Sequence, residues 1–308
     1  MSGLRTGLCD YLALRRSLGY KLERSGSELE HFVTYSEEAG STHVTTEVAL
    51  SWALRAANHE SSWRADRLAM VRRFARYLHA VDPAHEIPPA GLIPGRRRRP
   101  EPFLYSGGEV LSLMEASRRL RSPIQAATVE TIVGLLWSTG LRVAEAIRLD
   151  DADLDADDRT LLVGDSKGGR SRWVPLDDSV VAALIAYMAR RDEVFPRRRA
   201  PSLFVSTVGH RLDGGNLGVA FRAALAMTDI GTTATGRLPR LADLRHSFAV
   251  TTLVGWHAEH RDVRALLPVL STYLGHVSPA STYWYLSASP GLLAAAAGRL
   301  GVEMDDPR

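Results

Sequence analysis

The apolar residues of the first 82 positions recur at helical spacing, which predicts a helical N-terminal region. The clearest predicted helix spans residues 62–79, and its apolar face is formed by Leu68, Val71, Phe74, Ala75 and Leu78. An earlier amphipathic segment is predicted from Leu12, Leu14, Leu18 and Tyr20. Thr45 or Thr46 can cap a further helix, because a threonine oxygen accepts hydrogen bonds from the first free backbone amides.

Prolines then interrupt the helical pattern between residues 83 and 103. They are Pro83, Pro88, Pro89, Pro94, Pro100 and Pro102. A continuous helix is excluded there, because proline lacks the backbone donor that a helix needs. The same segment contains four consecutive arginines, Arg96, Arg97, Arg98 and Arg99. We therefore expect a basic linker over residues 83–103, which joins a helical domain of residues 1–82 to a second domain of residues 104–308.

The second domain combines many helical stretches with one pair of short apolar strands. The strands are predicted over residues 160–163 and 172–176, and the glycine-rich segment 164–171 predicts a hairpin turn between them. Helices are predicted over residues 110–120, 124–138, 140–149, 178–190, 215–226, 241–255, 261–274 and 290–300. The predicted fold class is therefore mainly α with a small antiparallel β-sheet, an α+β second domain.

Composition narrows the choice of partner and compartment. The formal net charge is +3 and hydrophobic residues make up 45% of the chain, and the isoelectric point of about 9.2 suits a nucleic-acid partner. A single cysteine, Cys9, excludes an intrachain disulfide, and no Cys/His cluster has zinc spacing. Because neither a secretion signal nor a membrane-length apolar stretch is evident, we expect a cytoplasmic protein.

Two groups of arginines can contact DNA phosphates. The first lies on the helix of residues 62–79 and comprises Arg64, Arg67, Arg72, Arg73 and Arg76. The second is the linker run of Arg96, Arg97, Arg98 and Arg99. On an extended strap, four guanidiniums can lie along phosphates and release counterions. A solvated helix face and a solvated tether are the ordinary alternatives for such charges.

Two further arginines are candidates to hold a single phosphate. Arg142 lies in the segment STGLRVAE at residues 138–145, and Arg245 lies about a hundred residues later. Each guanidinium matches two phosphate oxygens, and two of them can stabilise the added charge of a pentacoordinate transition state. For either arginine alone, an ion pair with a carboxylate such as Glu145 is the commoner role.

Three more side chains offer groups that DNA cleavage needs. The phenol of Tyr285 can attack phosphorus once nearby cations favour its ionised form, with Tyr283 as the alternative nucleophile. Lys167, one of only two lysines, lies in the glycine-rich turn and can protonate a departing 5′-oxygen. His276 follows a predicted helix end and can donate to a phosphate oxygen. Taken singly, a tyrosine of this kind is more often packed in the core, a turn lysine is more often simply exposed, and a histidine at a helix end more often caps the helix.

The combination of these segments resembles the tyrosine site-specific recombinases, also called the phage integrase family. The resemblance rests on the segment order, the nine-residue spacing from His276 to Tyr285, and the run LRHSFA at residues 244–249. It covers Tyr105 to about Leu286. It implies a two-domain C-shaped clamp, in which a helical N-terminal core-binding domain precedes a catalytic domain. It also implies a C-terminal helix, here residues 291–300, that docks into a neighbouring protomer.

The resemblance also implies roles for individual residues. The implied catalytic residues are Arg142 and Arg245 as the phosphate clamp, Lys167 as the general acid, His276 as a phosphate ligand and Tyr285 as the nucleophile. The implied supporting residues are Glu145 and Asp243, which match acidic positions beside the active-site arginines or histidine, and His246, which matches a mainly structural position.

The implied reaction is site-specific recombination of double-stranded DNA. A 3′-phosphotyrosyl bond stores the phosphodiester energy, so no ATP, metal or other cofactor is needed, and strand exchange passes through a Holliday junction. The implied assembly is a homotetramer on two recombination sites, as in integration or transposition of mobile elements. Accessory recombinases or directionality factors are further expected partners, and no membrane partner is expected. The expected location is the cytoplasm of a bacterium, in association with the nucleoid.

Position 242 departs from the His-x-x-Arg pattern of that family, because Ala242 stands where the histidine is expected. Loss of a general acid–base group typically costs roughly a hundred- to ten-thousandfold in rate. Three interpretations stand: a natural member that tolerates the loss, a slow or inactive member that still binds DNA, and an alanine introduced to trap a complex. The function hypotheses are therefore a strand-exchange enzyme, a catalytically impaired DNA-binding protein of the same fold, and a relaxing topoisomerase with the same tyrosine chemistry.

Overall fold

The computed structural model describes residues 3–55, 60–95, 101–164, 171–198 and 200–275. The chain divides into two compact units, Met1–Arg99 and Pro100–Arg308. Both are mainly helical where they are described, and the second contains a small antiparallel sheet. The fold class predicted from the sequence is confirmed. No helix among the described residues is long and apolar enough to cross a membrane.

The first unit contains four helices in its described part, α1 Gly3–Ser17, α2 Glu23–Glu38, α3 Thr46–Leu54 and α4 Ser61–His79. The prediction for α4 is confirmed, and its five predicted apolar residues are all buried. Thr45 caps α3, since its side-chain oxygen accepts the Val48 N–H at 3.2 Å. Phe32 and Phe74 lie among the fully buried side chains at the centre of this unit.

The amphipathic face predicted for the first helix was wrong at three of four positions. Leu12 is buried, but the other three side chains, Leu14, Leu18 and Tyr20, are exposed. The helix buries a different face, formed by Leu4, Leu8, Tyr11 and Leu12. It ends at Ser17, and Gly19 follows with a φ of 84°, so Leu18 and Tyr20 never join a helical face.

The proline-rich segment of residues 83–95 lies within the first unit and is hydrogen-bonded to other parts of it. Arg72 on α4 donates from Nε to the Pro88 carbonyl at 2.6 Å and from Nη2 to the Pro89 carbonyl at 2.7 Å. The Val44 N–H donates to Nδ1 of His85 at 3.0 Å. The prolines therefore prevent a helix, but the backbone of the segment is still ordered. Its carbonyl oxygens remain available to accept hydrogen bonds from other residues.

The second unit is built around one apolar helix. Its described helices are α5 Gly107–Arg118, α6 Pro123–Thr139, α7 Val143–Ala146, α8 Asp178–Val194, α9 Gly214–Leu225, α10 Leu241–Ala258 and α11 Val263–Tyr273. Helix α6 contacts α5, α8, α9 and α10. It is apolar on most faces, as is typical of a buried helix, and Ile132, Val133 and Leu136 are fully buried.

The sheet consists of three antiparallel strands in the order β1-β2-β3. They are β1 Leu154–Asp155, β2 Thr160–Val163 and β3 Arg172–Pro175. The predicted pairing of the second and third strands is confirmed, and Leu161 lies opposite Val174. The first strand was not predicted, because two residues are too short for an alternating pattern. The predicted turn lies outside the described residues except at Gly164 and Ser171.

The helix predicted over residues 140–149 was largely wrong. Gly140 adopts a φ of 63° and ends α6, and Arg142 is extended with a ψ of 143°. Only Val143–Ala146 is helical. A left-handed glycine commonly ends a helix, and here a Cβ at position 140 would lie 2.4 Å from Cδ1 of Phe248. This break sets Arg142 at the start of a short helix instead of inside a long one.

Candidate active site

Arg142 is held in place by the turn that follows α6. It stands immediately before α7, and Glu145 in the first turn of that helix accepts from it twice. The Arg142 N–H donates to Oε2 of Glu145 at 3.0 Å, and Nη1 donates to Oε1 at 2.6 Å. The carboxylate therefore fixes both the backbone and the guanidinium of Arg142. This is the ion pair that the sequence analysis gave as the ordinary role of such an arginine.

Arg245 lies in the first turns of α10, and its side chain is buried. Nη1 donates to the Gly140 carbonyl at 2.8 Å, and Nη2 donates to the Leu274 carbonyl at 2.6 Å. The guanidinium thus joins the end of α6, two residues before Arg142, to the end of α11. Both predicted arginines of the phosphate clamp therefore meet at one place in the second unit.

A third arginine, Arg172 on β3, lies at the same place and was missed by the sequence analysis. Nη1 and Nη2 donate to the two oxygens of Glu145 at 3.2 and 2.8 Å, and Nε donates to the Tyr273 carbonyl at 2.7 Å. The side chain is only 14% exposed. One signal was available in the sequence, because alternate strand residues share a face and Arg172 shares its face with the buried Val174.

The three guanidiniums converge on the C-terminal end of α11. Arg172 donates to the Tyr273 carbonyl at 2.7 Å and Arg245 donates to the Leu274 carbonyl at 2.6 Å. Arg142 donates to the Gly275 carbonyl at 2.9 Å. Cations are favoured here, because a helix C-terminus carries partial negative charge. Gly275 has a φ of 65°, and a Cβ there would lie 2.9 Å from Nη1 of Arg172. A side chain at this position would therefore be strained and would press on the Arg172 guanidinium.

Glu145 is the one carboxylate described between Arg142 and Arg172, and its side chain is 1% exposed. Burial raises the pKa of Glu145, but hydrogen bonds from Arg172 and Arg142 and the charge of Arg172 outweigh burial and lower it to about 2. The carboxylate is therefore ionised at neutral pH. Three guanidiniums less one carboxylate leave two net positive charges among these four side chains.

Asp243 and His246 have different surroundings from Arg142, Arg172 and Arg245, which together form what we call the arginine cluster. Asp243 is fully buried and accepts from Nη1 of Arg237 at 3.0 Å and from the N–H and Nη2 of Arg240 at 2.9 and 3.2 Å. It thereby fixes the start of α10, the helix that carries Arg245. Burial lowers the pKa of His246 to about 4, against the opposing charge of Asp243. Its ring is neutral at pH 7.

Ala242 lies in the first turn of α10 and its side chain is exposed. Among the described residues, no packing requirement therefore explains the small residue at this position. A larger side chain would extend into solvent beside the helix N-terminus, three residues before Arg245.

Several predicted site residues lie outside the described part of the chain. From the predicted catalytic set they are Lys167, His276, Tyr285 and the alternative nucleophile Tyr283. From the predicted DNA contacts they are all four linker arginines, Arg96, Arg97, Arg98 and Arg99. The C-terminal helix predicted over residues 291–300 lies outside it as well. Their roles stay predictions, and the structure brings together only Arg142, Glu145 and Arg245 of the residues predicted for catalysis and its support.

The arginines of α4 differ from one another in their surroundings. Arg67 stacks on the ring of Trp52, 3.7 Å from its centroid, and pairs with Glu28 at 3.2 Å. Arg72 is bonded to the proline-rich segment, as described above. Arg73 and Arg76 are exposed, and Arg64 is half-buried with interactions inside the protein. Contact with DNA stays a prediction for all five.

One group of described residues has the composition of a metal site, and it lies in the first unit. Ligand atoms of His43, Asp82 and His85 come within 4.8 Å of one another. However, Nδ1 of His85 already accepts the Val44 N–H, so the neutral ring carries its proton on Nε2 and offers a metal no free lone pair. His43 Nε2 lies 3.2 Å from the Asp82 carboxylate. We interpret the group as a hydrogen-bonded cluster that ties loops together.

Comparison with known proteins identifies the family. The profile of the phage integrase family matches residues 105–291. A putative integrase/recombinase of Sinorhizobium fredii, y4rB, is 40% identical over 99% of both chains. The tyrosine recombinase XerD of Mycobacterium leprae is 32% identical over 72% of this chain and 68% of its own. The chain therefore belongs to the phage integrase family, the tyrosine recombinases.

Solved structures agree on the fold. The integrase of transposon Tn1549, solved in complex with transposon right end DNA, superposes with a TM-score of 0.65. It is 16% identical, and the match covers 98% of this chain and all of the other. At that identity the likeness establishes the shared fold.

Proposed function

We propose that this protein cuts and rejoins double-stranded DNA at specific sites, with Arg142 and Arg245 holding the scissile phosphate and Tyr285 attacking it. The observation that carries the proposal is the meeting of both guanidiniums at Leu274 and Gly275, directly before His276 in the chain. Their bonds to carbonyls at the ends of α6 and α11 also stabilise the fold. A phosphate bound by both requires that these two arginines, 103 positions apart in the sequence, lie together.

The charge at this place suits phosphoryl transfer. A phosphodiester carries one negative charge, and its pentacoordinate transition state carries about two, because the attacking oxygen adds its own. The arginine cluster, less the charge of Glu145, supplies a matching excess of positive charge. The cluster is partly shielded from water, which strengthens its action on a bound phosphate. In the structure these guanidiniums donate to carbonyl oxygens at the end of helix α11. Phosphate oxygens of DNA would be acceptors of the same kind.

The chemical steps follow from the predicted residues. The ionised Tyr285 oxygen attacks phosphorus and forms a 3′-phosphotyrosyl bond, while the bond to the 5′-oxygen breaks and Lys167 supplies the proton that this oxygen takes up. His276 donates to a non-bridging oxygen. A 5′-hydroxyl of the partner strand then attacks the phosphorus, returns its proton to Lys167 and releases the tyrosine as its phenolate. Neither ATP nor a metal takes part in this scheme.

Among the described tyrosines near the arginine cluster, Tyr273 is a poor alternative nucleophile. Its ring stacks on Phe248 with centroids 5.7 Å apart. Burial raises the pKa of Tyr273 to about 12, although a nucleophilic phenol needs its ionised form favoured. This supports a nucleophile from the segment after His276, where Tyr285 is first choice and Tyr283 second.

We propose that the working assembly is a tetramer on two DNA sites. Lambda integrase, a structural neighbour with a TM-score of 0.58 and 16% identity, has been solved as a tetramer bound to a Holliday junction. The predicted C-terminal helix of residues 291–300 would link neighbouring protomers. A relative is named a putative integrase/recombinase and a structural neighbour is a transposon integrase, which favours DNA of a mobile element as the substrate.

A covalent-adduct assay tests the proposal. The protein is incubated with nicked duplexes taken from the DNA that flanks its gene, so that the short cleaved strand diffuses away and the tyrosyl bond persists. We expect an SDS-resistant protein–DNA adduct that is lost in Tyr285→Phe and strongly reduced in Arg142→Ala and Arg245→Ala. An adduct that survives Tyr285→Phe unchanged would contradict the assignment of the nucleophile.

Ala242 favours a second candidate, a DNA-binding member of the family that has lost most of its cleavage. In that case the same duplexes are bound and retarded on a gel, but no adduct forms. Site-independent relaxation of supercoiled plasmid would instead indicate a topoisomerase. The complete arginine cluster supports the first candidate, since it retains the positive charge that the pentacoordinate transition state needs.

A further inference from the structure

Arg172 lies in the site, but the reaction scheme above gives it no role. We propose that Arg172 is a positioning residue of the phosphate site: it orients Arg142 through the shared Glu145 and fixes the turn of residues 273–275 that leads into His276. This inference rests on the proposed function, whose phosphate clamp it refines.

The hydrogen bonds of Arg172 show that it acts through other residues. All three of its nitrogens donate to protein oxygens, two to Glu145 and one to the Tyr273 carbonyl. The side chain is 14% exposed, against 31% for Arg142. Arg172 uses Nε and both Nη atoms within the protein, whereas the bonds described for the Arg142 side chain use Nη1 and Nη2 and leave it more exposed.

Glu145 transmits this effect to Arg142. Oε1 of Glu145 accepts from Nη1 of Arg142 at 2.6 Å and from Nη1 of Arg172 at 3.2 Å. Arg172 and the Arg142 N–H both hold the other oxygen, Oε2, at 2.8 and 3.0 Å. With Arg172 in place, the carboxylate cannot turn to pair edge-on with the Arg142 guanidinium. Nη2 of Arg142 consequently stays directed at the Gly275 carbonyl. Without Arg172 a bidentate Glu145–Arg142 pair becomes available and draws the guanidinium away from the phosphate position.

The second contact of Arg172 fixes the approach to His276. The Tyr273 carbonyl is one of the last free acceptors of α11, and Gly275 follows with its positive φ and close contact to the Arg172 guanidinium. Arginine is required for this arrangement, because a lysine ammonium is a single point and cannot reach the carboxylate and the carbonyl in one fixed geometry. The side chain thereby joins β3, α7 and α11.

The test uses Arg172→Met and Arg172→Lys with a matched control, Arg118→Met. Arg118 also pairs with a glutamate of its own unit, Glu130 on α6, and it lies outside the cluster. We expect Arg172→Met to slow adduct formation roughly ten- to a hundredfold while DNA affinity changes less than about threefold. Arg172→Lys should be intermediate, since it keeps the charge, and Arg118→Met should match the unchanged protein. Urea unfolding of each variant checks that it is folded.

Two readouts separate positioning from other roles. In Arg172→Met, cleavage should fall as the pH is lowered towards ~4.5. The reason is that the pKa of Glu145 then rises towards the ordinary value of a carboxyl, because Arg142 is the only described cation that remains beside it. Arg172→Lys should remove most of that loss. A neutral methylphosphonate at the cleaved position should speed Arg172→Met no more than it speeds Arg142→Ala, because the displaced Arg142 is the group that meets the phosphate charge. A greater recovery of Arg172→Met than of Arg142→Ala on that substrate, or cleavage by Arg172→Met at the unchanged rate, would overturn the proposal.

The position of the Arg142 side chain can be measured even if no adduct forms with any variant. Failure to form an adduct would count against the proposed function alone. In ¹⁵N-arginine spectra, the Arg142 side-chain signal is identified by its absence from Arg142→Lys. We expect that signal to shift in Arg172→Met and to stay in place in Arg118→Met. An Arg142 signal that does not move in Arg172→Met would show that Arg172 does not position Arg142.

Discussion

At the scale of single residues, the site depends on one buried carboxylate between two guanidiniums. Motif reasoning predicted Arg142, Glu145 and Arg245, because each lies in a recognisable local run of the sequence. It missed Arg172, whose partners Glu145 and Tyr273 are 27 and 101 positions away. A contact over such separations has no local signature. A basic residue on the buried face of a strand was the only sign.

Glu145 is expected to make the second unit acid-sensitive. Its pKa in the folded protein, about 2, is below the ordinary value of 4.5, so its contribution to stability is present above pH 4.5 and is lost as pH falls towards 2. That contribution is at most about 3 kcal/mol. The free energy of unfolding, measured in urea from pH ~5 to pH ~2.5, should therefore fall more steeply in the unchanged protein than in Glu145→Gln. Parallel curves would contradict this.

Ala242→His is expected to speed cleavage. The position is exposed in the first turn of α10, so an imidazole fits without repacking, and a restored acid–base group is typically worth about a hundredfold or more. Rates of adduct formation in single-turnover assays measure the gain. Ala258→His, at the exposed far end of the same helix, is the matched control. Equal rates in both variants would show that position 242 does not limit the reaction.

At the scale of secondary-structure elements, breaks in the helices position the site more than the helices do. Patterns of apolar residues predicted nearly every described helix of the second unit, because their buried faces are long. They failed at residues 140–149 and at β1, where one left-handed glycine and a two-residue strand decide the path. The failure matters for function, since the break after Gly140 is what presents Arg142.

Gly140→Ala is expected to destabilise the second unit by about 2 kcal/mol or more. The φ of 63° disfavours a side chain, and the new Cβ would lie 2.4 Å from the Phe248 ring. Gly108→Ala is the control, because nothing lies within 4 Å of its added Cβ and its helical position favours alanine slightly. Midpoints of urea unfolding should move in opposite directions. A Gly140→Ala protein as stable as the unchanged one would contradict the account of this turn.

At the scale of the whole molecule, the sequence predicts a protein that binds DNA through charge as well as through its site. The proline-rich segment shows how far composition can be trusted. Prolines excluded a helix over residues 83–95, as predicted, but they did not reveal the bonds from Arg72 to the carbonyls of Pro88 and Pro89. Those bonds depend on tertiary contact. The basic run at residues 96–99 lies outside the described residues, so its role rests on charge alone.

The salt dependence of DNA binding tests that role. We expect glutamine at all four linker positions to reduce the magnitude of the slope of log K against log salt by about 3 to 4, because each phosphate contact releases close to one counterion. The replaced residues are Arg96, Arg97, Arg98 and Arg99. Binding isotherms between low and moderate salt measure the slope.

The matched control for the linker variant replaces two exposed arginines of the second unit, Arg118 and Arg159. Both already pair with carboxylates, Glu130 and Asp178 respectively, so their loss should change the slope little. An unchanged slope in the linker variant would show that the linker does not lie on phosphates.

The central claim, tyrosine-mediated cleavage at the arginine cluster, is tested most directly by mapping the amino acid that carries the DNA. The adduct formed on nicked duplex is digested with nuclease and protease, and the nucleotide-linked peptide is sequenced by mass spectrometry. We predict a nucleotide on the oxygen of Tyr285, in the peptide that follows His276. A linkage to Tyr283 would move the nucleophile by two residues, and a linkage to any residue outside this segment would contradict the account.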